Sequence, residues 1–202
     1  MDLNGFKRRY YDMLSPIGGP LNTIVYIATS MDGFISPEDG SLDWLECVPN
    51  PEDSDMGFGE FIAEIDALIM GRKTFETVLG FKLGWHYPVP GIVLSDTMRT
   101  VPAEIRDSVE IAAGAPEEIL ELAAAKGFQR LYIDGGETIQ RFLQADLIDE
   151  LIISQLPILL GGGDRLFGSL TTPLDFELVD SQVLLGQIVK LHYRRSLAGP
   201  ER

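Results

Sequence analysis

Cysteine is nearly missing from this chain of 202 residues: Cys47 is the only one. A single thiol can form neither an internal disulfide nor a paired-cysteine metal knuckle, and a reducing cytoplasm is the compartment expected. Histidine is almost as scarce. His86 and His192 lie far from Cys47 in sequence and form no HExxH pattern. No zinc site is therefore expected, and Cys47 reads as a buried or incidental thiol rather than a nucleophile. Long apolar runs are missing too. Nothing approaches the ~20 residues of a membrane span, and the basic Lys7, Arg8 and Arg9 precede no apolar run of signal-peptide length. Positive charge is in short supply, with 16 Lys and Arg against 31 Asp and Glu and a net charge of −15. That field repels nucleic acid and anionic lipid, so neither is expected as a partner. An anionic small molecule would need a local basic site.

What is present is an ordinary globular composition, 45% hydrophobic and 23% charged. The most informative stretch runs from Leu131 to Leu143. Leu131-Tyr132-Ile133 reads as the end of a buried strand, Gly135-Gly136 as a turn, and Ile139, Phe142 and Leu143 as one face of a helix. Glycine allows positive φ and close approach of another molecule to the backbone. The helix that follows offers free N–H groups and the positive end of its dipole, where an anion such as a pyrophosphate fits. A plain strand-to-helix turn accounts for the same residues.

A second unit of this kind precedes it. Ala67-Leu68-Ile69-Met70 is a short strand, Gly71-Arg72-Lys73-Thr74 the turn, and a helix begins at Phe75. Arg72 and Lys73 supply the local positive charge, since Arg can hold phosphate bidentately and Lys as a point charge. Two cations at a helix start oppose the dipole, which favours an anion there over a solvated helix end. Asn22 to Ser30 reads as a central strand leading into Asp32-Gly33, and Gly91 to Ser95 as another strand. Helices are expected over 58–65 and 116–126, the second with Pro116 in its first turn. Ser41 is the expected N-cap of a helical turn that includes Asp43. Val109 to Ile111 reads as an edge or parallel strand, Glu150 to Leu156 as another, and the two strands around Gly186 as a closing hairpin. Strands alternating with helices give a mostly parallel sheet covered on both faces, with ligands at the carboxyl ends of its strands. Residues 1–21 are expected to form an extension and linker, 22–196 a single domain, and 197–202 a tail.

Together these motifs resemble the dihydrofolate reductase superfamily, and the C-terminal reductase domain of riboflavin biosynthesis more than dihydrofolate reductase itself. Leu68-Ile69-Met70-Gly71-Arg72-Lys73-Thr74, Ile92-Val93-Leu94-Ser95 and Ile133-Asp134-Gly135-Gly136-Glu137-Thr138 carry the resemblance. Ser30-Met31-Asp32-Gly33 and Leu159-Leu160-Gly161-Gly162-Gly163 add to it. It implies a three-layer α/β/α fold with a mostly parallel sheet and a C-terminal antiparallel hairpin. It also implies NADPH as cofactor, held by Gly71, Arg72, Lys73, Thr74, Ser95, Gly135, Gly136, Glu137 and Thr138. A homodimer is expected on the same ground.

The activity implied is a 5-amino-6-(5-phosphoribosylamino)uracil reductase-like hydride transfer to a pyrimidine- or pterin-like small molecule. Asp32 and Asp134 are the candidate catalytic acids, and Asp43 and Asp134 the candidate substrate contacts. A turn residue at Asp32 and a helix cap at Asp134 are the structural alternatives. Asp96 departs from the pattern by setting a carboxylate next to the expected 2′-phosphate contact at Ser95, with Arg99 as a compensating cation. A nucleotide-binding module without catalysis and a true dihydrofolate reductase are the competing functional readings.

Overall fold

The computed structural model describes residues 21–81 and 84–196. Most of the expected N-terminal extension and the whole tail 197–202 lie outside these residues. The central sheet has eight strands. In chain order they are β1 (Asn22–Ser30), β3 (Ala67–Gly71), β4 (Gly91–Leu94), β5 (Val109–Ala112), β6 (Arg130–Asp134), β7 (Glu150–Leu156), β9 (Phe176–Leu184) and β10 (Ile188–Arg195). A separate ribbon pairs β2 (Phe34–Ser36) with β8 (Asp164–Arg165). Four α-helices, α1 (Phe58–Ile62), α2 (Arg72–Gly80), α3 (Pro116–Ala125) and α4 (Gly136–Gln144), and two 3₁₀ turns, Asp43–Glu46 and Ala103–Ile105, complete the described elements.

Strand order across the sheet is β5-β4-β3-β6-β1-β7-β10-β9. The first six are parallel, and β10 and β9 close the sheet antiparallel. The short apolar strands are buried on both faces because the side-chain period is two. Along β3, Ala67 and Ile69 point into one core with Ile119, Ile139 and Phe142 of α3 and α4. Leu68 and Met70 point into the other core with Phe61, Phe75 and Val78 of α1 and α2. This is the three-layer α/β/α arrangement, with β1 central and β5 at the edge.

The structure departs locally from the sequence reading. The helix expected over 58–65 stops at Ile62. Glu64 and Ile65 donate to carbonyls only three residues back, and the Asp66 N–H is taken by the Arg130 carbonyl at 2.8 Å. Pairing with the start of β6 thus draws the chain out of the helix, and Ile65 is buried without it. Ser41 caps nothing: its N–H donates to Asp39 Oδ1 at 2.9 Å, and the Asp43–Glu46 turn is 3₁₀ with no side-chain cap. Cys47 is exposed, not buried. At the start of α3 half a capping box forms, the Glu118 carboxylate accepting from the Ala115 N–H at 2.7 Å. Among the described residues no helix is long and apolar enough to cross a membrane.

Phe142 is fully buried between α4 and the sheet. Truncation to Ala should cost about 3–5 kcal/mol through lost burial and the cavity left behind. Denaturant unfolding should show a lower midpoint with an unchanged slope.

Candidate active site

The carboxyl ends of β1, β3, β4 and β6 open onto a cavity of about 1090 Å³. That volume accommodates a dinucleotide together with a small second molecule. Its floor on one side is built by the two strand–glycine–helix units. In each, a β-strand leads straight into a helix N-terminus, Gly71 into α2 and Gly135 into α4. The two units interlock. A side chain at Gly135 would run into the hydroxyl of Thr74 on α2, and one at Gly71 would sit 2.9 Å from the hydroxyl of Thr138 on α4. Gly135 also has φ +88°, which a residue with a Cβ adopts only under strain. The absence of side chains at these two points lets the helix N-termini converge, so unpaired N–H groups of both face the cavity.

Three cations line this half: Arg72 and Lys73 from α2 and Arg141 from α4. Arg72 pairs with Glu76 one turn on, at 2.9 Å, and both are exposed. Arg141 is anchored by donation to the Gly114 carbonyl at 2.8 Å. Glu76, Asp96 and Glu137 line the cavity beside them, so positive charge is local rather than dominant. Ser95 reaches the cavity, and its hydroxyl also accepts from the Met98 N–H at 2.9 Å, shaping the turn after β4. Arg99 does not line the cavity, whereas Arg141 does. Arg141 is a lining cation that the sequence reading missed. Its cue is a position one helical turn past Glu137, on the same face of α4.

The other half of the cavity is aromatic. Tyr26 from β1, Tyr132 from β6, Tyr87 from a loop and Trp44 from the Asp43–Glu46 3₁₀ turn line it. Tyr26 stacks on Phe61 with centroids 4.6 Å apart, and Tyr132 meets Phe61 edge-on at 5.1 Å. The Tyr132 hydroxyl donates to the Tyr26 carbonyl at 2.9 Å, tying β6 to β1. None of these four was singled out from sequence: Tyr26 and Tyr132 read as strand residues, Trp44 as part of a helical turn and Tyr87 as part of a loop.

Asp134 stands where the two halves meet. It ends β6, lines the cavity, and is partly buried. Burial pushes its pKa up from 3.8 to about 6, offset in part by the Gly135 N–H, at 2.8 Å, and by Tyr132. The helix-cap alternative does not hold, since Gly135 is the N-cap and α4 has no side-chain cap. The nearby tyrosines feel the same burial: Tyr26 is pushed up to about 12, and Tyr87 and Tyr132 also rise. They are neutral hydrogen-bonding groups at any working pH.

Two expected site residues lie elsewhere. Asp32 does not line the cavity. Its carboxylate accepts from Ser30 Oγ at 2.6 Å, the Leu160 N–H at 3.1 Å and the Gly161 N–H at 2.8 Å. The Ser30 hydrogen bond leads in lowering its pKa to about 2, so it is a fixed anion holding the loop after β1 to the loop after β7. The turn alternative describes it, and a proton-transfer role does not. Asp43 is exposed on its 3₁₀ turn, while its neighbours Leu42, Trp44 and Leu45 line the cavity. Gly71, Arg72, Lys73, Thr74, Ser95, Gly135, Gly136, Glu137 and Thr138 all line it.

The Asp134 shift makes stability depend on pH. The folded carboxyl binds its proton more tightly than the unfolded one, so stability is full below pH 3.8 and falls as pH rises through about 6. Asp134→Asn should abolish that loss. Above the folded pKa the variant should be more stable than the parent by at most ~3 kcal/mol, from two units at about 1.4 kcal/mol each. Unfolding free energies across the acid range check this.

Comparison with known proteins agrees with the geometry. A family model of the RibD C-terminal domain matches residues 22–190. "Uncharacterized protein YwjB" of Bacillus subtilis (strain 168) is 34% identical over 180 residues, which is 86% of this chain and 98% of that protein. The crystal structure of a putative riboflavin biosynthesis protein from Shewanella sp. PV-4 is 47% identical. It superposes with a TM-score of 0.84 over 87% of this chain and 99% of its own. Dihydrofolate reductase from Enterococcus faecalis, solved in complex with NADP(H), shares the fold with a TM-score of 0.61 at 21% identity, over 86% of this chain and 96% of its own. With seven of the eight sheet strands, both strand–glycine–helix units and the cavity inside the matched region, the chain belongs to the RibD C-terminal domain family.

Proposed function

We propose that this chain is an NADPH-dependent reductase that transfers hydride to a pyrimidine- or pterin-like small molecule. The carrying observation is the pair of interlocked helix N-termini, kept open by Gly71 and Gly135, with the partly buried Asp134 beside them. The residues fit the cofactor. Gly71 and Gly135 let Thr138 and Thr74 pack against the strand ends, and the starts of α2 and α4 beside them line the cavity with backbone N–H groups suited to a pyrophosphate. Arg72, Lys73 and Arg141 stand nearby for the remaining phosphate charge.

The nicotinamide supplies the hydride once bound. This chain's residues supply the rest. Thr74, Thr138 and the two helix N-termini orient the pyrophosphate. Ser95, Lys73 and Arg141 are placed for the adenosine side, where Asp96 opposes a 2′-phosphate. The aromatic half seats a flat ring and excludes water. Asp134, with a pKa of about 6, is protonated in a useful fraction near neutrality. It can accept a hydrogen bond from the ring when ionised and deliver a proton when neutral.

Titration with NADPH, followed by nicotinamide fluorescence, tests the reading. Tight binding is expected, weakened about tenfold, or about 1.4 kcal/mol, in Arg72→Ala. Binding without turnover of any pyrimidine or pteridine would favour a non-catalytic nucleotide-binding module. No binding of NADPH or NADH would remove the reductase reading.

We further propose that the chain acts as a homodimer through the β9–β10 end of the sheet. The register places Val189, Leu191 and Tyr193 of β10 on one face with Val183 and Leu178 of β9. Leu178 and Val183 are 57% and 66% exposed. The opposite face carries Lys190, His192 and Arg194 against Gln182, Asp180 and Glu177. An apolar face that runs on from the α4-covered core suits an identical apolar face of a second copy, which adds no like-charge contact to a chain of net charge −15. Light scattering should give twice the chain mass, and Val183→Asp should give the monomer; a wild-type monomer would sink this part.

A further inference from the structure

We propose that Asp134 takes up a proton from solvent when a pyrophosphate seats on the start of α4, so that cofactor binding and the loading of this acid are one coupled event. This rests on the reductase reading and adds a regulation of its site.

Asp134 is the last residue of β6, and α4 begins two residues on, at Gly136. Its Oδ1 accepts the N–H of Gly135, the N-cap, at 2.8 Å. The N–H groups of the first helical turn, from Gly136, Glu137 and Thr138, have no partner inside a helix. α4 has no side-chain cap, and these three residues line the cavity with Asp134. A carboxylate and a bound anion would therefore share one helix start. Each alone is favoured there by the dipole, but together they repel. Protonating the carboxyl removes the repulsion and leaves both groups in place.

A carboxylate stays ionised beside an anion when a cation pairs with it. Asp134 has no ion-pair partner among the described residues. Tyr132 on its own strand, Tyr26 on β1 and Tyr87 from the loop before β4 stand around it, and burial keeps these phenols neutral. The lining arginines are engaged elsewhere. Arg72 on α2 pairs with Glu76 at 2.9 Å, Arg141 on α4 donates to the Gly114 carbonyl at 2.8 Å, and Arg165 on β8 donates to the Asp32 carbonyl at 3.2 Å. Lys73 on α2 is exposed. Of the lining carboxylates among the described residues, Glu76, Asp96, Glu137 and Asp164 are exposed and only Asp134 is partly buried. Water screens the exposed ones and screens Asp134 least. Its pKa is already about 6. A further rise of about one unit or more, the usual effect of a close like charge, carries it through neutrality.

The coupling sets an order of events. Asp134 becomes neutral as the reductant binds, and an acceptor then meets an acid that already holds its proton. A hydride transfer consumes one such proton: the hydride leaves the reduced nicotinamide, which is oxidised, and the proton leaves Asp134, which returns to carboxylate.

Calorimetric titration of the whole protein with NADPH at about pH 7, in two buffers of different ionisation enthalpy, counts the protons taken up. The wild type is expected to take up roughly half a proton more than Asp134→Asn, a difference that cancels the cofactor's own phosphate and both histidines. Between about pH 6 and pH 8 its NADPH affinity should fall about tenfold relative to that variant. Glu137→Gln should keep the extra uptake. The carboxyl ¹³C resonance of Asp134 in the wild type gives the same answer without a variant: its titration midpoint should move up by about one unit or more when NADPH is added. Equal uptake in wild type and Asp134→Asn, or a midpoint that NADPH leaves unchanged or lowers, overturns the proposal and leaves the reductase reading standing. Failure of NADPH to bind at any pH removes that reading, and this proposal with it.

Discussion

Thr74 and Thr138 each occupy the space that a side chain on the opposite unit's glycine would need, at Gly135 and Gly71. Much else depends on this crossed contact. It brings two helix N-termini to neighbouring strand ends, β3 and β6, which pair in parallel from Ala67 with Leu131 to Met70 with Asp134. The dipoles and free N–H groups of α2 and α4 then point into one volume instead of two. In a chain with 31 acidic residues against 16 basic ones, net charge cannot draw an anion in. Backbone N–H groups, which carry no sequence charge, are the means left, helped by Arg72, Lys73 and Arg141.

The same convergence sets the state of Asp134. Ending β6 immediately before Gly135, it is partly buried, with the Gly135 N–H and Tyr132 beside its carboxyl. Burial outweighs the Gly135 N–H and raises its pKa to about 6. Asp32 shows the opposite balance with the same side chain. Hydrogen bonds from Ser30, Leu160 and Gly161 outweigh burial and lower it to about 2. Environment thus separates an acid suited to proton exchange from a fixed anion that ties two loops together.

Much of the fold was legible because its signals are local and repeated. Double-sided apolar strands, Pro116 at a helix start and the Gly186 hairpin each have one structural meaning. The cofactor side was legible for the same reason: Gly71 to Thr74 and Gly135 to Thr138 are contiguous segments. The aromatic side was not. Tyr26, Trp44, Tyr87 and Tyr132 are scattered along the chain over strands, a turn and a loop, and only the folded chain, with β6 beside β1, gathers them around one cavity. Asp32 was placed at the site by its nearness to a strand end, and Asp43 by resemblance to the acid that dihydrofolate reductase carries after its first loop. Sequence spacing carries no information on which way a loop carboxylate turns. Asp32 turns to the backbone beyond β7, and Asp43 turns to solvent. Arg141 was missed because a lone Arg on a helix reads as a solvated face.

The most direct test of the crossed contact is Gly135→Ala, measured for both unfolding free energy and NADPH affinity. The substitution adds one methyl group at φ +88° against Thr74. It should leave a folded protein of reduced stability, by about 1–3 kcal/mol from the backbone conformation alone. Its NADPH affinity should fall by at least tenfold, because α2 and α4 can no longer approach each other as closely. A folded Gly135→Ala protein that binds NADPH as tightly as the parent would contradict the account, since the glycine would then be a turn and nothing more.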